Sequence, residues 1–176
     1  LSTGSGATTT RAAIFDCVIA SSPSSTTVTW SVSSDHSVVF EEWSGLDTAS
    51  LSDQVATPAL SGLISGSGSR TLTVGPTGTL AQADELVQTL LGAATGLAAS
   101  NIATPSGYTG GVFEQNSPSF IGMGSAYKTV AATTAVDATW PFDVAGSGGQ
   151  TAVALLATYR IASPPPAGVV VAWLTA

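Results

Sequence analysis

The side chains able to do chemistry are few, and they fall in small groups. His36, the only histidine, follows Asp35 and is flanked by Ser33, Ser34 and Ser37, the residue types of a hydroxyl–imidazole–carboxylate relay. Neighbouring positions of a strand point to opposite faces, so Asp35 cannot readily orient His36 if both lie in one strand. The Gly-x-Ser-x-Gly elbow that exposes a nucleophilic serine is also missing. His36 therefore reads as a turn or strand-start residue. Glu41 and Glu42 suggest the carboxylate pair of glycoside hydrolysis, which needs two carboxyls about 5–9.5 Å apart across a cleft. Adjacent in one strand, they diverge: one shares the core face with Val39 and Trp43, where it needs a hydrogen-bond partner, and the other sits with Val38 and Phe40.

The remaining candidates have structural readings as well. Asp47 and Asp53 offer oxygens for a weak calcium site, yet no Asp-x-Asp-x-Asp run accompanies them, and Asp47 reads better as a turn cap. Cys17, in Ile14–Ile19, reads as a small buried hydrophobe, with no adjacent positive charge to activate a thiolate. Among Trp30, Trp43, Trp140 and Trp173, the first and third follow the inward rhythm of their strands and read as core rather than as a sugar-stacking platform. Tyr108, in Gly107–Gly110, is the best candidate for an exposed, glycan-contacting aromatic. One His and one Cys make neither a Cys/His zinc site nor an internal disulfide. No catalytic residue, metal or cofactor is expected.

These groups are carried by 176 residues, enough for one well-buried domain. Hydrophobic residues are 44%, which excludes a disordered chain, and charged residues only 9%, where about 25% is usual. The surface is accordingly Ser, Thr, Gly and Ala. A formal charge of -7 leaves no basic patch for a phosphate backbone, so nucleic acid is excluded as a partner. The apolar run at 168–174 is far shorter than the roughly 20 residues of a spanning helix, and residues 1–10 have no signal-peptide pattern. Such a composition suits an extracellular or virion surface. The first residue is Leu rather than Met, which reads as a processed chain or a part of a longer one.

The periodicity is two. Thr26–Ser33 places Val28, Trp30 and Val32 on one face, and Ala135–Val144 places Val136, Ala138, Trp140, Phe142 and Val144 inward, with Pro141 marking an edge strand or a bulge. Arg11–Ala20, His36–Ser44, Arg70–Val74, Leu86–Ala93, Gly122–Val130 and Gln150–Ile161 read as strands of denser apolar content, central or buried on both faces. Leu80–Leu91 contains good helix formers, but its β neighbours and Gly92 and Gly96 favour a strand. Polar turn clusters separate these runs. The expectation is an all-β, antiparallel two-sheet β-sandwich, jelly-roll-like, with little helix and a core including Phe15, Val28, Trp30, Val39, Leu72, Val136, Trp140, Phe142, Val153 and Leu155. Residues 1–10 form an arm, 11–162 the sandwich, 163–167 a proline-rich spacer and 168–176 an apolar strand or arm.

Val38–Ser50 (Val-Val-Phe-Glu-Glu-Trp-Ser-Gly-Leu-Asp-Thr-Ala-Ser), Ala83–Val87, Tyr127–Trp140 and Val153–Arg160 resemble β-sandwich modules of secreted bacterial surface proteins and tailed-phage virion proteins. The resemblance spans residues 11–162. It implies the sandwich fold and a non-enzymatic structural role, such as a capsid-decoration, fibre or tail subunit whose partners are copies of itself or other virion proteins. The alternative is an adhesive or carbohydrate-binding module, with a glycan as its ligand. Such modules carry additional strands before the position of Arg11, which this chain lacks. The apolar, uncharged segment after the proline spacer must be covered. It either returns to its own sheet, or adds to a neighbouring subunit with Val169, Val171 and Trp173 as anchors; a chain continuing past Ala176 is the third option.

Overall fold

The computed structural model describes residues 10–19, 25–29, 36–61, 64, 66–94, 102–116, 121–144, 151–162 and 169–175. These residues contain no helix. Eleven strands follow one another: β1 (Ala12–Cys17), β2 (Ser37–Trp43), β3 (Ser52–Val55), β4 (Ala59–Leu60), β5 (Gly68–Val74), β6 (Glu85–Ala94), β7 (Thr109–Asn116), β8 (Ile121–Val130), β9 (Ala138–Val144), β10 (Thr151–Arg160) and β11 (Val169–Thr175). Every pairing among them is antiparallel. The fold is an all-β antiparallel sandwich.

The largest sheet runs β3-β10-β6-β8-β7, with β4 also on β10. At its centre, β6, β8 and β10 carry apolar side chains on both faces, and β10 is buried from Ala152 to Tyr159. A sheet of this kind needs a cover on each side. On one face Leu86, Leu90, Met123, Val153, Leu155 and Tyr159 pack with Ala12 and Val39 of the three-stranded sheet β1-β11-β2. On the other, Val87, Leu91, Ala126, Ala154 and Leu156 pack with Ala138, Trp140, Phe142 and Val144 of the β5-β9 ribbon. The sandwich of two sheets therefore carries a third, two-stranded layer.

β9 keeps the expected alternation, with Ala138, Trp140, Phe142 and Val144 buried and Thr139 and Asp143 exposed. Pro141 resolves to the edge-strand reading. Its carbonyl accepts the Ala103 N–H at 2.9 Å, on the side away from β5, so its missing N–H removes nothing from the β5-β9 ladder. The helix-former-rich segment is strand from Glu85 onward, because β10 and β8 bond both of its edges.

Four expectations fail. Arg11–Ala20, His36–Ser44 and Arg70–Val74, expected to be central or buried on both faces, form β1, β2 and β5, which lie at sheet edges and leave one face exposed. Phe15, expected in the core, is 58% exposed; Ala12 and Ile14 take the inward positions of β1, and a strand apolar on both faces gives no parity from which to tell them apart. Thr26–Ser33 does not form the expected strand over its described part, residues 26–29, where Val28 is half-buried; alternation supplies an apolar face but not a neighbour to bond. Trp30 and Val32 lie outside the described residues. Cys17, expected to be buried, is free and exposed, since it shares the outward parity of Phe15. β3, β4 and β7 were not foreseen: the first two are short and polar or proline-flanked, and β7 opens on Thr109-Gly110-Gly111.

Trp140 is fully buried, and its indole N–H donates to Thr89 Oγ1 at 2.9 Å, while the Thr89 hydroxyl donates to the Leu155 carbonyl at 2.9 Å. The ribbon is thereby tied to β6 and β10 by a buried polar chain as well as by packing. Trp140→Ala is expected to lower stability by about 3–5 kcal/mol in denaturant titration, the range for a large aromatic removed from a core. A loss below about 1 kcal/mol would show that this side chain does not anchor the layer.

Candidate functional site

Glu41 and Glu42 diverge as adjacent strand residues must. Glu42 is exposed, whereas Glu41 faces the central sheet, where Ser125 Oγ donates to its Oε1 at 2.6 Å. The same Ser125 oxygen accepts the Val112 N–H at 2.8 Å. This close approach depends on Gly111: β7 slips register against β8 between Gly110 and Phe113, and a Cβ on Gly111 would strike Ser125 Oγ and Glu41 Oε1. Trp43 packs edge-on to Tyr127, with ring centroids 4.5 Å apart and planes at 68°. The pair of glutamates thus spans no cleft. Glu41 joins β2 to β8 and β7 as a hydrogen-bond acceptor.

A second polar group closes one end of the central sheet. The β10–β6 register sets Arg160 opposite Glu85, and Arg160 Nη2 lies 2.7 Å from Asp53 Oδ1 on β3. Arg160 Nη1 also donates to Ser50 Oγ at 2.9 Å, and Asp53 Oδ2 accepts the Ala81 N–H at 2.8 Å. Burial works against the Asp53 charge, but the Ala81 N–H, the Arg160 guanidinium and a hydrogen bond from Glu85 outweigh it and hold the Asp53 carboxyl below its ordinary range. Glu85 is fully buried. Burial pushes its carboxyl up, and the Asp53 charge adds to the rise against hydrogen bonds from Thr158 and the Gln82 N–H. The two shifts oppose each other: Glu85 is the carboxyl that keeps its proton more readily, and Asp53 is the one held as the ion paired to Arg160. Sequence reading missed this group, because only the strand register brings residues 53, 85 and 160 together.

The other candidates take structural places. Asp47 Oδ1 accepts the N–H groups of Ala49 at 2.9 Å and Ser50 at 3.3 Å, the turn-capping geometry. With Asp53 committed to Arg160, the two aspartates do not converge on a calcium site. His36 precedes β2 and Ser37 opens it as a buried residue, while Asp35, Ser33 and Ser34 lie outside the described residues. Tyr108 is half-buried rather than an open platform. Its hydroxyl donates to the Asp137 carbonyl at 2.6 Å, and Lys128 Nζ stands 4.2 Å over its ring. Burial pushes the phenol up, and also lowers the Lys128 ammonium. Val169, Val171 and Trp173 lie in β11, opposite Trp43, Glu41 and Val39 respectively.

Among the described residues, the surface feature without such engaged polar groups is the outward face of the β1-β11-β2 sheet. Register aligns Phe15, Ala172 and Phe40 in one row across the three strands. Phe15 is 58% and Phe40 46% exposed, and Val18 beyond β1 is 49% exposed. Around the edge of β1 a groove of about 330 Å³ continues between Phe15 and Val55, floored by Leu155 and Tyr159. Val55 itself is 64% exposed. Among the described residues no helix is long and apolar enough to cross a membrane. No protein-family model, curated protein or solved structure matches this chain.

Two outcomes follow from the carboxyl pair. Glu85 is raised, so its contribution to stability is complete below its ordinary value and is lost as pH climbs towards its folded value. Asp53 is lowered, so its contribution is present above its ordinary value near about 4 and is lost on further acidification. Thermal unfolding across pH should show greatest stability on the mildly acidic side. Glu85→Gln should flatten the decline on the alkaline side, and Asp53→Asn should lower the Tm at every pH above about 4. An alkaline limb unchanged in Glu85→Gln would refute the raised Glu85 carboxyl. Ser125→Ala should cost about 1–3 kcal/mol in denaturant titration, because it leaves a carboxylate oxygen and a backbone N–H unpaired.

Proposed function

We propose that this chain is a non-enzymatic structural subunit of an extracellular assembly, of the virion or cell-surface kind, whose partners are copies of itself. The observation that carries the reading is the aligned Phe15–Phe40 row on the outward face of the β1-β11-β2 sheet, continued by the groove at Val55. Exposed apolar side chains are ordinary when scattered, but a contiguous set on one sheet face marks a contact surface. The charge-poor composition supports the same reading, since a surface with 9% charged residues does little to keep copies apart. Thr89, Ser125 and Trp140 in the interior, by contrast, are engaged in joining strands. The adhesive alternative has less support: Tyr108, its best aromatic, is engaged by Lys128 and Asp137.

Light scattering behind size exclusion on the wild-type chain is expected to give a multiple of the 17.4 kDa chain mass. The double substitution Phe15→Ser with Phe40→Ser, at exposed positions, should retain the β circular dichroism and shift the population to monomer. A wild-type chain that remains monomeric at high micromolar concentration overturns the reading.

A further inference from the structure

We infer that the space between β2 and the central sheet binds ordered water, held by Glu41, Trp43 and Gln88. This site does not depend on how copies associate. Gln88 is 1% exposed, and both its amide nitrogen and its amide oxygen lie buried with no protein partner among the described residues. Glu41 Oε2 and Trp43 Nε1 are in the same condition. Buried amides, carboxylates and indole N–H groups are paired in native proteins, because an unpaired one gives up its hydration for nothing in return.

Strand parity brings the three side chains to one space. On β6, Gln88 lies between Leu86 and Leu90, which both pack towards the β1-β11-β2 sheet, so it takes that face as well. Its register partner on β8 is Tyr127, and Leu90 is opposite Ser125. From β2, Glu41 Oε1 accepts the Ser125 hydroxyl at 2.6 Å and Trp43 packs edge-on to Tyr127. β2 thus stands over β8, and Gln88 is one strand further on, about 4.8 Å to the side. Its β10 partner is Ala157, so nothing longer than a methyl group competes with the amide from that direction.

The donors and acceptors suit water. Trp43 Nε1 offers one N–H and Gln88 Nε2 two, while Glu41 Oε2 and Gln88 Oε1 accept. Water both donates and accepts, and a buried molecule typically makes about three hydrogen bonds. Two hydrogen bonds of about 2.8 Å meeting at one oxygen span about 4.5 Å, close to the strand spacing that separates the amide from the groups held over β8. A metal ion is a poorer occupant, since Trp43 and Gln88 both present N–H donors to it. All four atoms are closed to bulk solvent, which suits a resident water rather than an exchanging solute. Water placed there fastens β2 to β6 across the intervening β8.

The test joins a crystal structure of the wild-type chain, at a resolution that shows water, to the Tm of Gln88→Leu. Density for one or two waters, each within about 3.2 Å of at least two of Glu41 Oε2, Trp43 Nε1 and the Gln88 amide, supports the site. A Gln88 amide bonded directly to Glu41 Oε2, or no water density between the three, overturns it. Gln88→Leu takes hydrogen-bond partners from the water, so the Tm should fall by several degrees. A Tm unchanged or raised overturns the site, because Leu replaces without loss only an amide that was buried unbonded. Should Gln88→Leu fail to fold, the indole N–H of Trp43 in the wild-type chain gives a second measurement by NMR. A nuclear Overhauser contact between that proton and a long-lived water supports the site, and its absence overturns it.

Discussion

β6, β8 and β10 carry apolar side chains on both faces, and a sheet of that kind has no side it can leave to water. Much of the rest of the architecture answers this constraint. One face is closed by β1-β11-β2 and the other by the β5-β9 ribbon. The two covers differ in how they are held. The ribbon is anchored by Trp140, a large aromatic whose one polar atom is satisfied inside. The three-stranded cover is assembled from the two ends of the chain, and it leaves an apolar outer surface of its own. The burial that stabilises the centre thereby moves the unmet hydrophobic demand outward by one layer, to Phe15 and Phe40.

The polar groups divide along the same lines. Where strands meet across layers, single hydrogen bonds serve as fasteners: Glu41 with Ser125, and Thr89 with Trp140. At the end of the central sheet Arg160 and Asp53 tie β10 to β3 through an ion pair, with Glu85 buried opposite Arg160 at the start of β6. In each case the chemistry-bearing side chain is oriented towards a neighbouring strand rather than towards a ligand-sized opening. A carboxyl beside a carboxylate resembles an acid–base pair on paper; enclosed by strands, it acts as a cross-brace whose strength depends on pH.

Alternation with one polar face was readable in Ala138–Val144, though it misled at Thr26–Ser33, whose described residues form no strand. The rhythm of Ala138–Val144 predicts its buried and exposed residues one by one, and the adjacency of Glu41 and Glu42 predicts that they diverge. The dense apolar runs announced strands buried on both faces, which holds for β10 and fails for β1, β2 and β5, whose outward residues are exposed. The same density hides orientation, so Phe15 and Cys17 were placed inside when Ala12 and Ile14 occupy those positions. Pairing was not readable at all: the slip at Gly110–Phe113 and the alignment of Glu85 with Arg160 depend on register, a property of two strands rather than of either. Tyr108 looked exposed because its neighbours are Gly and Thr, while Lys128 and Asp137, which enclose it, lie on a later part of the chain.

The placement of β11 has a further consequence, for the order of events during synthesis. β1 and β2 leave the ribosome first, yet the strand that bonds both is made after every other described strand. Until then they lack the strand that bonds them both, while β6 can pair with β8 and then with β10 as each of these is made. The early strands of this sheet thus wait longest for their partner in the nascent chain, and completion of the cover is a late, long-range step of the kind that slows folding.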